Sequence, residues 1–475
     1  MGLKLFNTLS RSLEEFSPLE SAGRRVGMYC CGPTVYDFAH VGNWRTFVLA
    51  DLVRRTLEFK GFEVTHVMNV TDVDDKIIQR AAASGTPPRE FTGRFEQAFF
   101  EDLNTLNCLP PHHRPRATED VPRMIALIEK LIGRGIAYKA ADGSVYFSIQ
   151  KYQAAGGRYG RLVTLNADGM HGEARINSDD YAKDSAADFA LWKARSPEDG
   201  SVFWPSPFGE GRPGWHIECS AMSMNILGPS FDLHIGGEDL IFPHHEDEIA
   251  QSEGATGKPF VKYWLHGAHL LVEGRKMSKS LGNFFTLRDL IGKGFTGREV
   301  RRLLLTAHYR ETFNFTMDGL HGARAALARI DECLEKLREI AGSAPGGGGE
   351  NSGGEGGGDM LRQFGGALDD DLNVSAAWAS VFEWVADLNR GMTEKAIGSA
   401  GAKSALTAWQ KMDSVLGVGA PSDAKVPAEI VSLMAARQAA RKERNFRQAD
   451  EIRSELKARG WTVEDTPKGP KAKKI

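Results

Sequence analysis

Cysteine is scarce in this chain of 475 residues: Cys30, Cys31, Cys108, Cys219 and Cys333 are five in number and widely scattered. An odd, dispersed set is not the framework of a disulfide-stapled secreted protein, so a reducing cytosol is expected. An excess of charge of one sign is missing too. Lys and Arg number 59 against 62 Asp and Glu, a formal net charge of −3, so any surface for nucleic acid has to be a local patch. Long apolar runs are absent as well. No stretch reaches the roughly 18 apolar residues of a membrane span, and the opening "MGLKLFNTLSRSLEEFSPLE" has no signal core. The expectation is a cytoplasmic protein with no membrane partner. What is present is a 41% hydrophobic content, enough at about 100–200 residues per domain for roughly three units.

The segment "RRVGMYCCGPTVY" reads as a basic turn entering a short apolar strand. "HVGNWRTFVLADLVRRTLEFKG" then has helical spacing through Val48, Leu49, Leu52, Val53 and Leu57 and closes on Gly61. "EVTHVMNV" is strand-like again. Strand, glycine-bearing turn, helix and strand is the pattern of a parallel sheet, whose ligand site lies beyond the carboxyl ends of the strands, where Gly32 to Gly42 fall. Helical patterns follow, and then "DGSVYFSIQKY" and a glycine-rich polar stretch to Asp188 suggest an insertion over about 115–210. "FDLHIGG" and "YWLHGAHLLVEG" return to strand. The fold class expected is α/β, a Rossmann-like doubly wound parallel sheet over residues 1–270 with that insertion. A segment that holds "KMSKS", 271–315, leads to amphipathic helices over 316–418, interrupted by "APGGGGENSGGEGGGD", which predicts a disordered loop at 344–358. A small basic unit, 426–475, ends in "PKGPKAKKI".

Three segments carry chemistry. In "FPHHEDEIAQ", a helix would set His244 and Glu248 at i and i+4, on one side, so that imidazole and carboxylate can converge on one ion. Cys219 of "GWHIECSAM" and Cys31 complete a candidate set whose mix of thiolate, imidazole and carboxylate suits zinc. Taken singly, each has a plainer reading, since a lone cysteine is usually buried and inert and a "HHE" run is often a polar helix face. The third segment is "GRKMSKSLGN". Lys276 and Lys279, set among small residues, suit a loop that brings ammonium groups to a polyphosphate as charge develops.

In order along the chain, "CCGPTVYD", "HVGN" at 40–43, "NVTDVDDKI", "GWHIECSAM", "FPHHEDEIAQ" and "KMSKSLGNFF" resemble the cysteinyl-tRNA synthetase family of class I aminoacyl-tRNA synthetases. "HVGN" stands where that class has its HIGH signature, and "KMSKS" at 276–280 matches the second signature. The likeness runs from about Gly27 to Thr466 and would make 271–315 the "KMSKS" loop with a stem-contact region. It implies one zinc ion at the floor of a cysteine pocket, held by Cys31, Cys219, His244 and Glu248, with Cys30 a packed neighbour. A steric pocket rejects a near-isostere such as serine only modestly, whereas zinc prefers a thiolate strongly, so no editing domain is needed.

The resemblance further implies that His40 and Asn43 contact ATP phosphates and the adenylate-forming transition state. Asn43 replaces the usual histidine, keeping a donor without the charge. Gly32 and Thr34 would lie against the amino acid and adenylate, Thr71 near the cysteine, and Trp215 over the pocket; a core aromatic is the alternative for Trp215. His234 and Asp239 would contact adenylate and amino group. Lys276 and Lys279 would stabilise departing pyrophosphate, with Mg²⁺ on the ATP. The partners implied are ATP, L-cysteine and tRNA(Cys), with the protein acting as a monomer. "ARKERNFRQADEIRSELKARGW" resembles the anticodon-recognition helix, to which Arg437, Arg441, Lys442, Arg444, Arg447 and Arg453 give cationic character. The glycine-rich insertion and a tail without a terminal tryptophan depart from the usual pattern. Two rivals remain: a cysteine ligase of thiol biosynthesis acting on a glucosaminyl-inositol, and a catalytically inactive zinc and RNA-binding relative.

Overall fold

The computed structural model describes residues 2–20, 23–163, 188–278, 281–342, 353–420, 428–443, 445–459, 461–466 and 469–474. Its central sheet has four parallel strands in the order Val261–Gly267, Phe231–Gly237, Arg25–Cys30, Glu63–Met68. Alternation along the strand beginning at Arg25 shows why both faces are covered. Met28 and Cys30 join a cluster with Trp44, Val48 and Leu52 of the helix Val41–Phe59. Tyr29 and Cys31 join a second cluster with Cys219 and Ile249. Strands buried on both sides read as near-continuous apolar runs, as in Phe231–Gly237, where every residue is buried. The chain leaves Arg25–Cys30 toward Glu63–Met68 on one flank and returns through Phe231–Gly237 on the other. The carboxyl ends of these two inner strands therefore form the topological switch point.

The insertion is an antiparallel sheet of four strands, Ala137–Lys139, Val145–Phe147, Phe189–Ala194 and Gly211–Pro213, with its own core under the helix Ala117–Gly133. Between residue 315 and Val418 the described chain is helical, with Met317–Gly342, Gly353–Asp369, Val374–Thr393 and Ser399–Leu416.

Two expectations need correction here. Of the loop expected at 344–358, residues 344–352 lie outside the described residues, while 353–358 open the helix Gly353–Asp369. Glycine costs a helix about 1 kcal/mol relative to alanine, so burial further on sustains this one: Met360, Phe364 and Leu368 recur at helical spacing and are 4%, 0% and 0% exposed. The boundaries drawn at 270 and 315 are also not breaks in packing. One hydrophobic cluster runs from Leu3 through the sheet to Val418, and residues 1–291 with 295–418 form a single compact unit. Residues 419–475, with 292–294, form the second. Within it the helices Ala428–Lys442 and Phe446–Ala458 and an antiparallel hairpin, Trp461–Thr466 with Gly469–Lys474, close on Ile430, Ile452, Leu456 and Trp461. The lysine-rich end is thus largely a β-strand.

Candidate active site and metal centre

Cys31 stands one residue beyond its strand, at the switch point. Cys219 comes from the helix Trp215–Leu227, while His244 and Glu248 come from the turn Ile241–His245 and the helix Glu246–Thr256 that continues it. Ligand atoms of these four buried residues all lie within 4.8 Å of one another. Cys31 Sγ is 3.8 Å from Cys219 Sγ and 3.8 Å from Glu248 Oε1, and His244 Nε2 is 3.2 Å from Glu248 Oε1. Burial, and then Cys219, pushes both the Cys31 thiol and the Glu248 carboxyl well above their ordinary ranges. Burial pulls the His244 imidazole down. A set of soft and hard anionic donors with a neutral imidazole, shut away from water, is stable in its ionised form only around a cation, and fits a divalent ion of zinc type.

Sequence reasoning missed a second combination. Cys31, His234, His245 and Glu248 also converge within 4.8 Å. His245 Nε2 is 3.4 Å from Cys31 Sγ, and its Nδ1 meets His266 Nε2 at 2.7 Å, with His266 Nδ1 at 2.8 Å from Thr8 Oγ1. His244 Nδ1 lies 2.8 Å from His216 Nδ1, and His216 Nε2 is 3.4 Å from Asp247 Oδ2. Such chains orient an imidazole from behind and leave Nε2 turned toward the cluster. The signal was the doubled histidine of "FPHHEDE", where His245 and Glu248 are i and i+3.

His234 packs inside this cluster. It is fully buried, with Nε2 3.0 Å from Glu248 Oε2 and its ring stacked on Trp264 at 4.4 Å. Asp239 is exposed in the turn after the strand. Trp215 is 43% exposed, with its ring centre 4.3 Å from that of His244, so it is not a core aromatic. Gly32, Thr34 and Thr71 line one bend. A Cβ on Gly32 would lie 1.6 Å from the Asn69 carbonyl oxygen, and the Gly32 N–H donates to Asn69 Oδ1 at 2.8 Å. Thr34 bridges to Thr71, whose hydroxyl donates to the buried Glu218 at 2.9 Å. Asn69 and Glu218 were not singled out from the sequence.

The first signature opens the helix Val41–Phe59. His40 is its N-cap: its Nδ1 accepts from the Asn43 N–H at 3.2 Å, and its own N–H donates to Asn43 Oδ1 at 3.1 Å. Asn43 therefore completes a capping box at the place where histidine is usual. The second signature touches the first. A Cβ on Gly42 would lie 3.0 Å from the His40 ring and 3.3 Å from Met277 Cε, and the Val41 N–H donates to the Phe285 carbonyl at 3.0 Å. Lys276 is exposed at the end of the strand Arg275–Lys276, and Asn283 gathers the neck of the loop, accepting from the Ser278 N–H at 2.9 Å and donating to the Lys276 and Val272 carbonyls, each at 3.2 Å. Lys279 lies outside the described residues.

In the second unit Arg441, Lys442, Arg447 and Arg453 are exposed, and Arg447 Nε pairs with Glu451 at 3.2 Å. Arg437 is only 6% exposed, which withdraws it from the cationic surface, and Arg444 lies outside the described residues. Among the described residues no helix is long and apolar enough to cross a membrane.

Comparison with known proteins extends these observations. Residues 16–325 match the tRNA synthetases class I (C) catalytic domain, 363–420 the DALR domain and 423–470 the cysteinyl-tRNA ligase anticodon binding domain. The cysteine–tRNA ligase of Chlamydia muridarum is 47% identical over 491 residues, covering 100% of both chains. That of Protochlamydia amoebophila is 44% identical, covering 99% of this chain and 98% of its own. The solved methionyl-tRNA synthetase of Mycobacterium tuberculosis with methionyl-adenylate is similar in fold alone, with a TM-score of 0.59 at 16% identity over 83% of this chain and 90% of that one. With its catalytic segment, its terminal domain and its full length all matched, this chain belongs to the cysteine–tRNA ligase family of class I aminoacyl-tRNA synthetases.

Proposed function

We propose that this chain activates L-cysteine with Mg²⁺-bound ATP and transfers it to the 3′ end of tRNA(Cys), in the cytoplasm and as a monomer, with zinc as its resident metal. The observation that carries the reading is the convergence of Cys31, Cys219, His244 and Glu248 at the switch point of a sheet whose opposite cluster holds the helix of the first signature. Bound there, zinc supplies a soft Lewis acid that takes a thiolate far more readily than a hydroxyl, which selects cysteine over serine.

The remaining chemistry falls to the chain itself. The cysteine carboxylate attacks the α-phosphorus in line, the bond to the bridging oxygen breaks, and pyrophosphate leaves. His40 and Asn43, at the positive end of a helix, face the charge that develops on the phosphates. Lys276 and Lys279 neutralise the departing pyrophosphate. Gly32 and Thr34 hold the amino acid and adenylate, Thr71 lies near the cysteine, Trp215 covers the pocket, and His234 and Asp239 serve the adenylate and amino group. A terminal ribose hydroxyl of the tRNA then attacks the acyl carbon and AMP leaves. No protein nucleophile takes part, so catalysis is positioning and electrostatics. Arg441, Lys442, Arg444 and Arg447 contribute the local positive patch for RNA. The anticodon-domain match over 423–470 favours tRNA over a glucosaminyl acceptor.

The test is cysteine-dependent exchange of pyrophosphate into ATP with serine as competitor, followed by charging of tRNA(Cys). Exchange that ignores serine and leads to charged tRNA supports the reading. Activation of cysteine without charging would move it to the small-molecule ligase.

A further inference from the structure

The helix Val41–Phe59 holds one side chain that this chemistry leaves without a task. Arg45, in the first turn past Asn43, is 5% exposed. Its Nη2 faces the carbonyl oxygens of His308 at 3.1 Å, of Tyr309 at 3.5 Å and of Glu311, and its guanidinium lies 5.2 Å from the centre of the Phe313 ring. A guanidinium stays charged at every ordinary pH and is costly to bury, so its place is set by these partners.

The segment it grips follows the second signature in the chain and is joined to it sideways, through a small sheet. Residues 308–312 run into the strand Phe313–Phe315, which pairs with Leu270–Val272 so that Asn314 faces Leu271. Leu271 in turn faces Lys276 across the next ladder. The same segment is tied to the end of the central sheet, because the Ala268 N–H donates to the Tyr309 carbonyl at 2.8 Å. Downstream of the loop, the His40 ring centre is 5.2 Å from that of Phe284 and Val41 bonds to Phe285. The helix that opens with the first signature therefore holds both flanks of the second: Val41 bonds directly to Phe285 after the loop, and Arg45, through residues 308–311 and the strand Phe313–Phe315, braces the strand Leu270–Val272 that precedes it.

We propose that Arg45 is a positioning residue for adenylate formation, gathering the 308–311 carbonyls so that the strand carrying Lys276 keeps a fixed place relative to His40. The inference rests on the reading of the two signatures as the groups that handle ATP. A displacement of about 1 Å in such a pair is worth a factor of roughly ten to a hundred in rate. Arg45 touches none of the proposed metal ligands, so its effect belongs on the chemical step and on ATP.

The experiment compares Arg45→Ala and Arg45→Lys with the unaltered full-length protein in cysteine-dependent pyrophosphate exchange. Rates are counted per site able to form adenylate, so that a smaller folded fraction does not register, and zinc content is measured alongside. In Arg45→Ala, per-site kcat falls about tenfold or more, KM for ATP rises, KM for cysteine stays within about twofold, and zinc is retained. Arg45→Lys, with one donor point and no fork, recovers part of the loss. A per-site kcat within about twofold of the unaltered protein overturns the inference, as does a rise in cysteine KM that matches the fall in kcat. If Arg45→Ala does not fold, Arg45→Lys decides alone: a reduced per-site kcat supports the role and an unchanged one removes it. Absence of exchange in the unaltered protein takes down the functional reading and this inference with it, whereas normal exchange with indifferent variants takes down this inference only.

Discussion

Cys219 is 1% exposed, and its thiol sits beside a second thiol, an imidazole and a carboxylate. Cys219→Ser is nearly isosteric, so the fold survives the change while a soft donor becomes a poor one. Metal content by elemental analysis and the rate of cysteine activation fall together in this variant; full activation in a metal-depleted protein would sink the assignment. Asn43 illustrates a residue whose meaning depended on geometry. From its letter alone it reads as a histidine that lost its charge, but beside His40 it is the acceptor that closes the N-terminal turn. Of the four residues singled out as candidate ligands, only the pairing of His244 with Glu248 was legible in local i and i+4 spacing; Cys31 and Cys219 were added as donors of suitable chemistry, and the set as a whole was what the family resemblance implied. His234 and His245 were not, because their approach to Cys31 and Glu248 depends on how the sheet and the turn Ile241–His245 meet.

Elements are joined in this protein by side-chain donors, most of them buried or half-buried arginines. Arg55 donates to the Ser414 carbonyl at 2.9 Å, Arg301 to that of Leu416 at 2.6 Å, Arg298 to that of Val418 at 2.7 Å, and Asn107 to that of Gly417 at 2.8 Å. The carboxyl end of the helix Ser399–Leu416, where unpaired carbonyls and negative dipole collect, is thereby tied to the helix Val41–Phe59 and to Gly297–Leu304. Asp51, 3% exposed, pairs with both Arg55 and Arg301. Asp51→Ala leaves the wholly buried Arg301 without its counter-charge and costs about 3–5 kcal/mol, read from denaturant unfolding. Burial alone would raise the Asp51 carboxyl, but Arg301 and Arg55 outweigh it and hold it below the ordinary range. Its contribution is therefore complete above about pH 4 and lost only as the pH falls through the lower folded value.

A milder acid sensitivity sits on the strand Glu63–Met68. Burial, aided by Arg54, pushes His66 down to about 3. A neutral imidazole is stabilising above the unfolded value, so stability declines as pH drops below about 6.5, by at most about 1.4 kcal/mol per unit. His66→Gln flattens that slope between pH 6.5 and 5; an unchanged slope would show that other groups govern it.

At the scale of the whole molecule, packing divides the chain at Val418, with the sheet, insertion and helices on one side and residues 419–475, together with 292–294, on the other. A chain ending at Val418 keeps cysteine-dependent exchange and loses at least about tenfold in charging of tRNA(Cys), as expected when the local basic surface for RNA is removed. Equal loss of both activities would mean that the second unit supports the catalytic core directly. The sequence by itself determined the order of elements, the parallel sheet and the places of both signatures, since periodicity and turn chemistry are written in neighbouring residues. Only the tertiary structure decided that the helices after residue 315 share a core with the sheet, that two histidine sets meet at Cys31, and that Arg45 grips a loop more than 260 positions away in the chain. Hydrophobic pattern reports that a face is buried but not what covers it, and a cation's partners, when they are backbone carbonyls, leave no trace in side-chain identity.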